Sequence, residues 1–319
     1  MGNIAKYSTP QFPPWALKAP EYQFSLSLLG SKSEVSPTLY ETKLNELLSV
    51  YDGFTKIFTD GSKIGEAAGA AAVLAPRVSN KRLPNHSSIF TAETRAILLA
   101  LELAQRSSSN QFLILCDSLS CLQSMRNRGM SRPLIAEVLC CIHKMLLTGA
   151  TLVFLWVPSH VGLAGNSAAD TAAKAAVLMP ISSLTLPYSD YLPLIRTHVL
   201  NQWQSSWSLE TENKLHAIEP TVNETKSYRL PRRDEIIIHR LRIGHTFLTH
   251  GYLLKRDSPP QCSACQTQLT VEHVLLHCQT WNAIRANYFT VTNLSELFNT
   301  VSSRSIVDFI KEIGFYRRI

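Results

Sequence analysis

The chain has 319 residues, of which 45% are hydrophobic and 17% charged, and a net charge of +7 at pH 7. These values exclude a disordered chain and predict a globular protein with more than one domain. No apolar run reaches the roughly 18 residues that a membrane span needs, and the N-terminus lacks a secretory signal pattern. The seven cysteines do not form the pattern of a secreted disulfide framework. We therefore expect an intracellular protein, in the cytoplasm, the nucleus or both, that does not bind membranes and is not secreted.

The positive charge is concentrated in two parts of the chain. Residues 53–178 hold 12 Lys and Arg against 7 Asp and Glu, and residues 223–319 hold 13 against 8, so each has a net charge of +5. Two basic regions with less basic flanks favour two surfaces that face nucleic acid. Lysines and arginines that only solvate helix faces would give the same counts, so charge alone leaves both interpretations open.

The first basic region has the element pattern of an α/β domain. Residues 1–52, with five prolines and one predicted helix at 39–50, are interpreted as a connector or a severed end. The pattern then predicts strands at 56–59, 67–74, 82–90, 112–116 and 151–157, a turn at 60–62, and helices at 91–106, 118–126, 133–147 and 166–177. This order predicts a five-stranded mixed sheet flanked by helices over residues 53–178.

The remainder of the chain is predicted to be smaller and mainly helical. Residues 179–222 have the composition of a linker followed by a helical segment, and 223–319 form a C-terminal helical region. Within it, 231–248 predict an amphipathic basic helix and 262–278 contain a cluster of cysteine and histidine.

Four carboxylates of the α/β region are placed where elements begin or end. Asp60 and Asp117 follow the first and fourth predicted strands, while Glu93 and Asp170 lie in the first turns of helices. If the two strands are parallel neighbours, their ends meet at one point beneath the two helices. Two divalent cations about 4 Å apart require several oxygen ligands at such a point. Each residue alone is also explained as a turn residue, a helix cap or a solvated surface group.

The four residues stand in an ordered set of motifs. The segments are Ile57-Phe58-Thr59-Asp60-Gly61-Ser62, Thr91-Ala92-Glu93, Cys116-Asp117-Ser118 and Trp156-Val157-Pro158-Ser159-His160-Val161-Gly162, followed by Asn166-Ser167-Ala168-Ala169-Asp170. Together they resemble the motifs of type 1 ribonuclease H, and most of all those of non-LTR (LINE-like, jockey-type) retrotransposons. The resemblance implies a ribonuclease H-like fold and endonucleolytic hydrolysis of RNA in RNA–DNA hybrids, which leaves 5′-phosphate and 3′-hydroxyl ends.

The resemblance also implies a ligand set for two Mg²⁺ ions, with Mn²⁺ as a substitute. Asp60 would bridge both ions, and Asp170 would hold the ion next to the attacking water. Glu93 and Asp117 would complete the ion that stabilises the leaving oxygen. The chemistry is that of two cations which offset the charge developing on a phosphate.

Further residues of these motifs have implied roles around the metals. His160, on a loop ten residues before Asp170, would move protons or assist product and metal release, although a loop histidine bonded to backbone is the alternative. The residues expected to contact substrate are Thr59, Gly61, Ser62 and Asn166. We also expect Asn166 to cap the last helix of the domain.

The C-terminal cluster Cys262-x2-Cys265-x7-His273-x4-Cys278 offers three thiolates and one imidazole. That set suffices for a closed tetrahedral Zn²⁺ site, with His277 as an alternative ligand and a metal-free loop as the other interpretation. Cys/His segments of this kind follow reverse transcriptase or ribonuclease H regions in the retroelements that the chain resembles. The resemblance therefore implies structural zinc and a reverse transcriptase module in cis or in trans.

A basic stretch precedes this cluster and would contact phosphate or else be a solvated face. Its residues are Arg232, Arg233, His239, Arg240, Arg242 and His245.

Two other functions remain open. A transposase or integrase of the same fold would use three carboxylates, and Glu93 on the first helix together with His160 in its loop disfavours that class. A non-catalytic nucleic-acid-binding remnant would keep the zinc unit and lose hydrolysis. The four carboxylates disfavour this second alternative. The absence of a Tyr-x-Asp-Asp motif excludes polymerase activity for this sequence.

Overall fold

The computed structural model describes residues 13–29, 37–158, 163–222 and 229–319. The chain divides into two compact units, Met1–Pro193 and Leu194–Ile319. Within the described ranges, no helix combines the length and the apolar character needed to cross a membrane.

The first unit is built on a mixed sheet. Its strands are β1 (Glu21–Gln23), β2 (Thr55–Ile64), β3 (Ala67–Leu74), β4 (Arg77–Arg82), β5 (Gln111–Cys116) and β6 (Thr151–Trp156), in the order β1-β6-β5-β2-β3-β4. β2, β5, β6 and β1 run parallel, whereas β3 and β4 are antiparallel to their neighbours. The expected mixed sheet with flanking helices is confirmed. The expected five strands are wrong, because β1 adds a sixth strand at the edge next to β6.

Helices cover this sheet. They are α1 (Pro37–Val50), α2 (Ile89–Gln105), α3 (Leu119–Arg126), α4 (Pro133–Leu147) and α5 (Ala164–Ala176). The central strands are continuous apolar runs because helices bury them, and Ile57, Ile114 and Phe154 are fully buried. β3 is made of small residues, which lets helices approach the sheet closely.

The local predictions for residues 60–62 and 82–90 are wrong. The turn expected at 60–62 lies inside β2, where Asp60 pairs with Ala71 and Ser62 pairs with Gly69 on β3. The strand expected at 82–90 is replaced by β4, which ends at Arg82, and by a loop. Ser88 caps α2, since its hydroxyl accepts the backbone N–H of Thr91 at 3.1 Å. The helix therefore starts before the predicted residue 91, and Glu93 lies in its second turn.

Residues after 178 continue the first unit. The Ser182 backbone N–H donates to the Arg82 carbonyl at 3.1 Å, and Leu186 is buried. The Asp190 carboxylate accepts the backbone N–H of Ser88 at 3.0 Å and the Ser88 hydroxyl at 2.9 Å. This carboxylate lies at the N-terminus of α2, where a negative charge stabilises a helix. Helix α6 (Tyr188–Trp207) begins here.

The second unit is helical in the described residues. Its helices are α7 (Lys214–Ile218), α8 (Arg232–Ile243), α9 (Phe247–His250), α10 (Tyr252–Lys255), α11 (Asn282–Ala286), α12 (Leu294–Thr300) and α13 (Ser303–Glu312), with a π-helical turn at His273–His277. Its core joins Ile237 and Leu241 of α8 to Leu275 and to Phe309 of α13.

The basic helix expected at 231–248 is shorter than predicted. Gly244 has a φ of 75° and ends α8 in the left-handed conformation, which glycine adopts most easily. The predicted basic surface also loses Arg242, because its side chain is buried and pairs with Glu219.

Candidate functional site

Parallel pairing of β2 and β5 places two carboxylates side by side. Thr59 of β2 is in register with Cys116 of β5, so the next residues of the two strands are Asp60 and Asp117. Asp60 is only 7% exposed. The expectation that these two strands are neighbours with adjacent carboxylates is met by this register.

A close approach of α2 to β2 brings in the third carboxylate. A Cβ atom at Gly61 would lie 2.6 Å from the backbone nitrogen of Glu93 and 2.9 Å from the carbonyl carbon of Ala92, so only glycine fits between strand and helix. The Gly61 backbone acts to lower the pKa of the Glu93 carboxyl, against the larger effect of burial. The Oε2 atom of Glu93 is buried and has no hydrogen-bond partner in the described structure.

Asp60, Glu93 and Asp117 form one acidic cluster. One carboxylate oxygen from each lies within 4.8 Å of those of the other two. Burial, followed by the charges of Asp117 and Asp170, raises the pKa of Asp60 to about 7. Burial, followed by the charge of Asp117, raises the pKa of Glu93 well above its ordinary value. Three carboxylates at this separation repel one another, so a divalent cation with oxygen preference fits the site.

The fourth predicted ligand lies beside this cluster. Asp170 is on α5, which approaches the sheet closely because Ala169 and Ala173 are fully buried small residues. Its carboxylate accepts a hydrogen bond from the Lys174 ammonium group at 2.8 Å. Asp170 and Lys174 are both close enough to act on the pKa of Asp60, in opposite directions. Three of the four predicted carboxylates therefore converge, and the fourth is paired with a lysine nearby.

The other predicted residues of this site have varied surroundings. His160 lies outside the described residues. Thr59 is fully buried, and its hydroxyl donates to the Leu115 carbonyl at 3.2 Å. Ser62 is buried in β2. Asn166 does not cap α5 as expected, because Leu163 is at the N-cap and Asn166 is buried within the helix. Their contacts with substrate stay predictions.

A second cluster lies in the other unit. The side chains of Cys262, Cys265, His273 and Cys278 each place one ligand atom within 4.8 Å of the others. The Sγ atom of Cys278 is 3.8 Å from that of Cys262 and 4.0 Å from that of Cys265, and all three thiols are free. A tetrahedral Zn²⁺ site with Zn–S bonds of about 2.3 Å separates its sulfurs by about 3.8 Å. The spacing of the thiols therefore fits zinc.

The histidine of this cluster is oriented toward such a role. The Nε2 atom of His273 is buried and has no hydrogen-bond partner in the described structure, while its Nδ1 atom lies 3.4 Å from the Thr267 hydroxyl. The backbone N–H of Cys265, followed by the His273 side chain, lowers the pKa of Cys262 to about 6, and a thiolate is the form that binds metal. His277, the alternative ligand, is exposed and lies 3.6 Å from Glu272 instead.

The sequence interpretation missed two supporting side chains. Lys174 follows Asp170 by four residues, the spacing at which helical side chains meet. Arg285 is buried beside the cysteine cluster, and its guanidinium donates to the Cys278 carbonyl at 2.9 Å. Lys174 could have been found from its spacing to Asp170 in the sequence. Arg285 could not, because its place beside the cysteines depends on tertiary packing.

Comparison with known proteins identifies the first domain. Residues 53–178 match the protein family described as RNase H. The RNase H1 from the halophilic archaeon Halobacterium salinarum NRC-1 is 19% identical, with 38% of this chain and 96% of that chain covered and a TM-score of 0.32. LC11-RNase H1, solved in complex with an RNA/DNA hybrid, is 21% identical, with coverages of 38% and 95% and a TM-score of 0.33. No curated protein matches the chain. From the family match and the α/β architecture, residues 53–178 are an RNase H domain with an RNase H-like fold.

Proposed function

We propose that the RNase H domain hydrolyses the RNA strand of RNA–DNA hybrids with two divalent cations, Mg²⁺ or Mn²⁺, held by Asp60, Glu93, Asp117 and Asp170. The observation that carries this proposal is the convergence of three of these carboxylates within 4.8 Å. It occurs in the segment that matches the RNase H family. The buried, unpartnered Oε2 atom of Glu93 adds support, because an ion would supply the missing partner.

The protein side chains prepare this site for a phosphodiester. Bound Mg²⁺ would offset the negative charge that develops on the scissile phosphate and make the attacking water easier to ionise. Asp60 would hold both cations, because its carboxylate lies within reach of those of Glu93 and Asp117. Asp170 would hold a cation in place of its contact with Lys174, and His160 would move a proton.

Recognition of the hybrid is assigned to the residues around the acidic cluster. We propose that the main chain at Thr59, Gly61 and Ser62 contacts the phosphates, together with the side chain of Asn166. Contacts with 2′-hydroxyl groups give selectivity for RNA.

Cleavage of a panel of labelled duplexes tests this function. The whole chain is mixed with Mg²⁺ and an RNA–DNA hybrid, a single-stranded RNA, an RNA duplex or a DNA duplex of the same sequence. We expect cleavage of the hybrid alone, in the RNA strand, with 3′-hydroxyl and 5′-phosphate products. Cutting of the DNA duplex would favour a transposase-like nuclease. Binding of the hybrid without any cutting would favour the non-catalytic alternative, and either result would overturn the proposal.

We further propose that Cys262, Cys265, His273 and Cys278 bind one structural Zn²⁺. The sulfur spacing and the unpartnered Nε2 atom of His273 support this assignment. Native mass spectrometry should find one zinc per chain, and Cys262→Ser should lose it. Cys140→Ser is the matched control, since Cys140 is a free cysteine of α4 outside the cluster. Zinc in neither the native chain nor the control would contradict the assignment.

A retrotransposon context is the third part of the proposal. The order of the ribonuclease H motifs and the Cys/His segment that follows them support an origin in a non-LTR retrotransposon. A reverse transcriptase module, in cis or in trans, would produce the hybrid in the cytoplasm or the nucleus. In a coupled reaction, a reverse transcriptase copies an RNA template in the presence of this chain. The copied RNA should be degraded, and intact RNA after full copying would contradict the proposal.

A further inference from the structure

A basic cleft lies in the second unit, apart from the cysteine cluster. It has a volume of about 490 Å³, and its lining includes Arg233 and Arg240 of α8, Arg317, and the paired histidines His245 and His250. No Asp or Glu side chain belongs to the lining in the described part of the chain. A concave surface with cations of one sign concentrates the electrostatic field and attracts anions.

Two of the arginines are held in place by the C-terminal segment. The Arg233 guanidinium donates to the Tyr316 carbonyl at 3.2 Å and lies 5.7 Å from the centre of the Tyr316 ring. The Arg240 guanidinium donates to a main-chain oxygen of Ile319, the last residue of the sequence. The contacts with Tyr316 leave the positive charge of Arg233 in place, whereas the carboxylate of Ile319 offsets one positive charge at Arg240. Positioned guanidinium groups bind phosphate better than flexible ones, because less side-chain entropy is lost.

Asp234, the acidic residue next to the cleft, does not neutralise the positive charge of the arginines in the lining. Asp234 follows Arg233 in α8, but its side chain is buried and accepts the Tyr316 hydroxyl at 2.7 Å. Lys311 lies 3.7 Å from the same carboxylate. Arg317 is exposed at the rim of the cleft. With Arg233, Arg240 and Arg317 against the single carboxylate of Ile319, the cleft keeps a net positive charge.

An aromatic ring in the same lining narrows the class of ligand. Phe247 at the start of α9 is 56% exposed although it is large and apolar. The Lys255 ammonium lies 5.7 Å from the centre of its ring, so a further cation borders it. Arginines beside an exposed aromatic ring are the groups with which proteins bind single-stranded nucleic acids, because bases stack on the ring and phosphates pair with the cations. A duplex keeps its base faces stacked internally and does not offer them to Phe247.

We propose that this cleft binds unpaired nucleotides of a single-stranded RNA or DNA. One base stacks on Phe247, and the phosphates contact Arg233, Arg240 and Arg317. This binding goes beyond hydrolysis of a hybrid and does not depend on it, because none of these residues belongs to the acidic cluster. An acidic peptide shares the charge of such a ligand but has no bases to stack.

Binding of a fluorescent oligothymidylate by the whole chain tests the site, with anisotropy measured across a range of salt concentrations. Arg317→Ala should weaken binding by about tenfold and reduce the slope of log K against log salt by about 0.7, the value for one lost contact to a single strand. Arg304→Ala is the matched control, since Arg304 is exposed on α13 outside the cleft. The Arg304→Ala variant should bind the oligothymidylate within about twofold of the native affinity, because salt screens the attraction of a charge outside the cleft. Equal losses in the two variants would overturn the proposal.

The aromatic contact is tested separately. Phe247→Leu keeps an apolar side chain but removes the ring face, and should weaken binding by about tenfold without changing the salt slope. Phe247→Trp should restore the affinity. If Phe247→Leu binds like the native chain, the cleft is a general polyanion site, and a poly-glutamate peptide should then compete equally well. Cleavage of the hybrid is measured on the same samples and should not depend on the residues of the cleft. A native chain that binds oligothymidylate but does not cleave the hybrid would contradict only the proposed ribonuclease function.

Discussion

The Nζ atom of Lys174 lies 2.8 Å from the Oδ2 atom of Asp170, one turn earlier on α5. Hydrogen bonding to Asp170 raises the pKa of Lys174, which stabilises the charged form of the lysine. The pair lies close enough to Asp60 for both groups to act on its pKa. A protein cation therefore pairs with the fourth carboxylate. A divalent ion that uses Asp170 must compete with this lysine.

Replacement of the lysine should strengthen metal binding. Lys174→Met removes one positive charge from the neighbourhood of the acidic cluster and releases Asp170, so we expect Mg²⁺ to bind on the order of tenfold more tightly. Isothermal titration measures the change. Lys144→Met, on the exposed face of α4, should leave the affinity unchanged. Weaker binding in Lys174→Met would mean that the lysine assists the site instead of competing for it.

Gly61 should be essential for both packing and metal binding. Gly61→Ala places a Cβ atom 2.6 Å from the backbone nitrogen of Glu93, so strand and helix must separate. We expect a loss of about 1–3 kcal/mol in the free energy of unfolding, as for other overpacked sites, together with loss of Mg²⁺ binding. Gly53→Ala is the control, because a Cβ atom there meets nothing within 4 Å. Chemical denaturation of the two variants in parallel distinguishes them, and equal stabilities would contradict the close approach.

The metal-free protein should lose stability as the pH rises. Burial raises the pKa of Asp60 to about 7 in the folded chain. A folded acid with a raised pKa binds its proton more tightly than the unfolded chain does, so its favourable contribution is complete below the unfolded pKa near 4 and is lost toward pH 7. The raised pKa of Glu93 acts in the same direction. Melting temperatures in chelator should therefore fall between about pH 4 and pH 7.

Two comparisons isolate the acidic cluster in this pH experiment. Asp60→Asn should reduce the fall of the melting temperature with rising pH. Asp52→Asn, at an exposed position, should leave this fall unchanged. Added Mg²⁺ should raise the melting temperature most at the higher pH, since the carboxylates are then ionised. The same pH profile in Asp60→Asn and in the native chain would contradict the assigned pKa.

Some features of the acidic site were predictable from sequence because they depend on periodicity. Apolar runs before Asp60 and Asp117 indicated two buried strands, and parallel pairing then placed both carboxylates at one point. Gly61 was assigned to a turn because Asp-Gly-Ser is common in turns. Its actual role depends on the approach of α2, which no local pattern specifies.

The wrong predictions for strands β1 and β4 of the sheet have similar causes. β4 has the sequence Arg-Val-Ser-Asn-Lys-Arg, which lacks the apolar alternation of a half-buried strand, and β1 is only three residues long. Both lie at edges of the sheet, where burial imposes little pattern on the sequence. The cysteine cluster was predictable because its ligands are close in sequence. The cleft around Phe247 and Arg317 was not, because its lining comes from distant segments.

Asp190 should stabilise the helix that carries Glu93. Asp190→Ala removes the acceptor for both the backbone N–H and the hydroxyl of Ser88, and should cost about 1 kcal/mol in the free energy of unfolding. Ser189→Ala, an exposed neighbour, should change stability by less than about 0.5 kcal/mol. Urea denaturation measures both. No difference between the two variants would show that the cap adds nothing to α2.

Single-turnover cleavage of a labelled RNA–DNA hybrid tests the central claim most directly. Native chain, Asp117→Asn and Asp52→Asn are compared in Mg²⁺ after each is shown to be folded. Asp117 belongs to the cluster of converging carboxylates, so its variant should cut the RNA strand about 10³-fold more slowly or worse, whereas Asp52→Asn should cut like the native chain. Equal rates for native chain and Asp117→Asn would contradict the assignment of this cluster as the hydrolytic site.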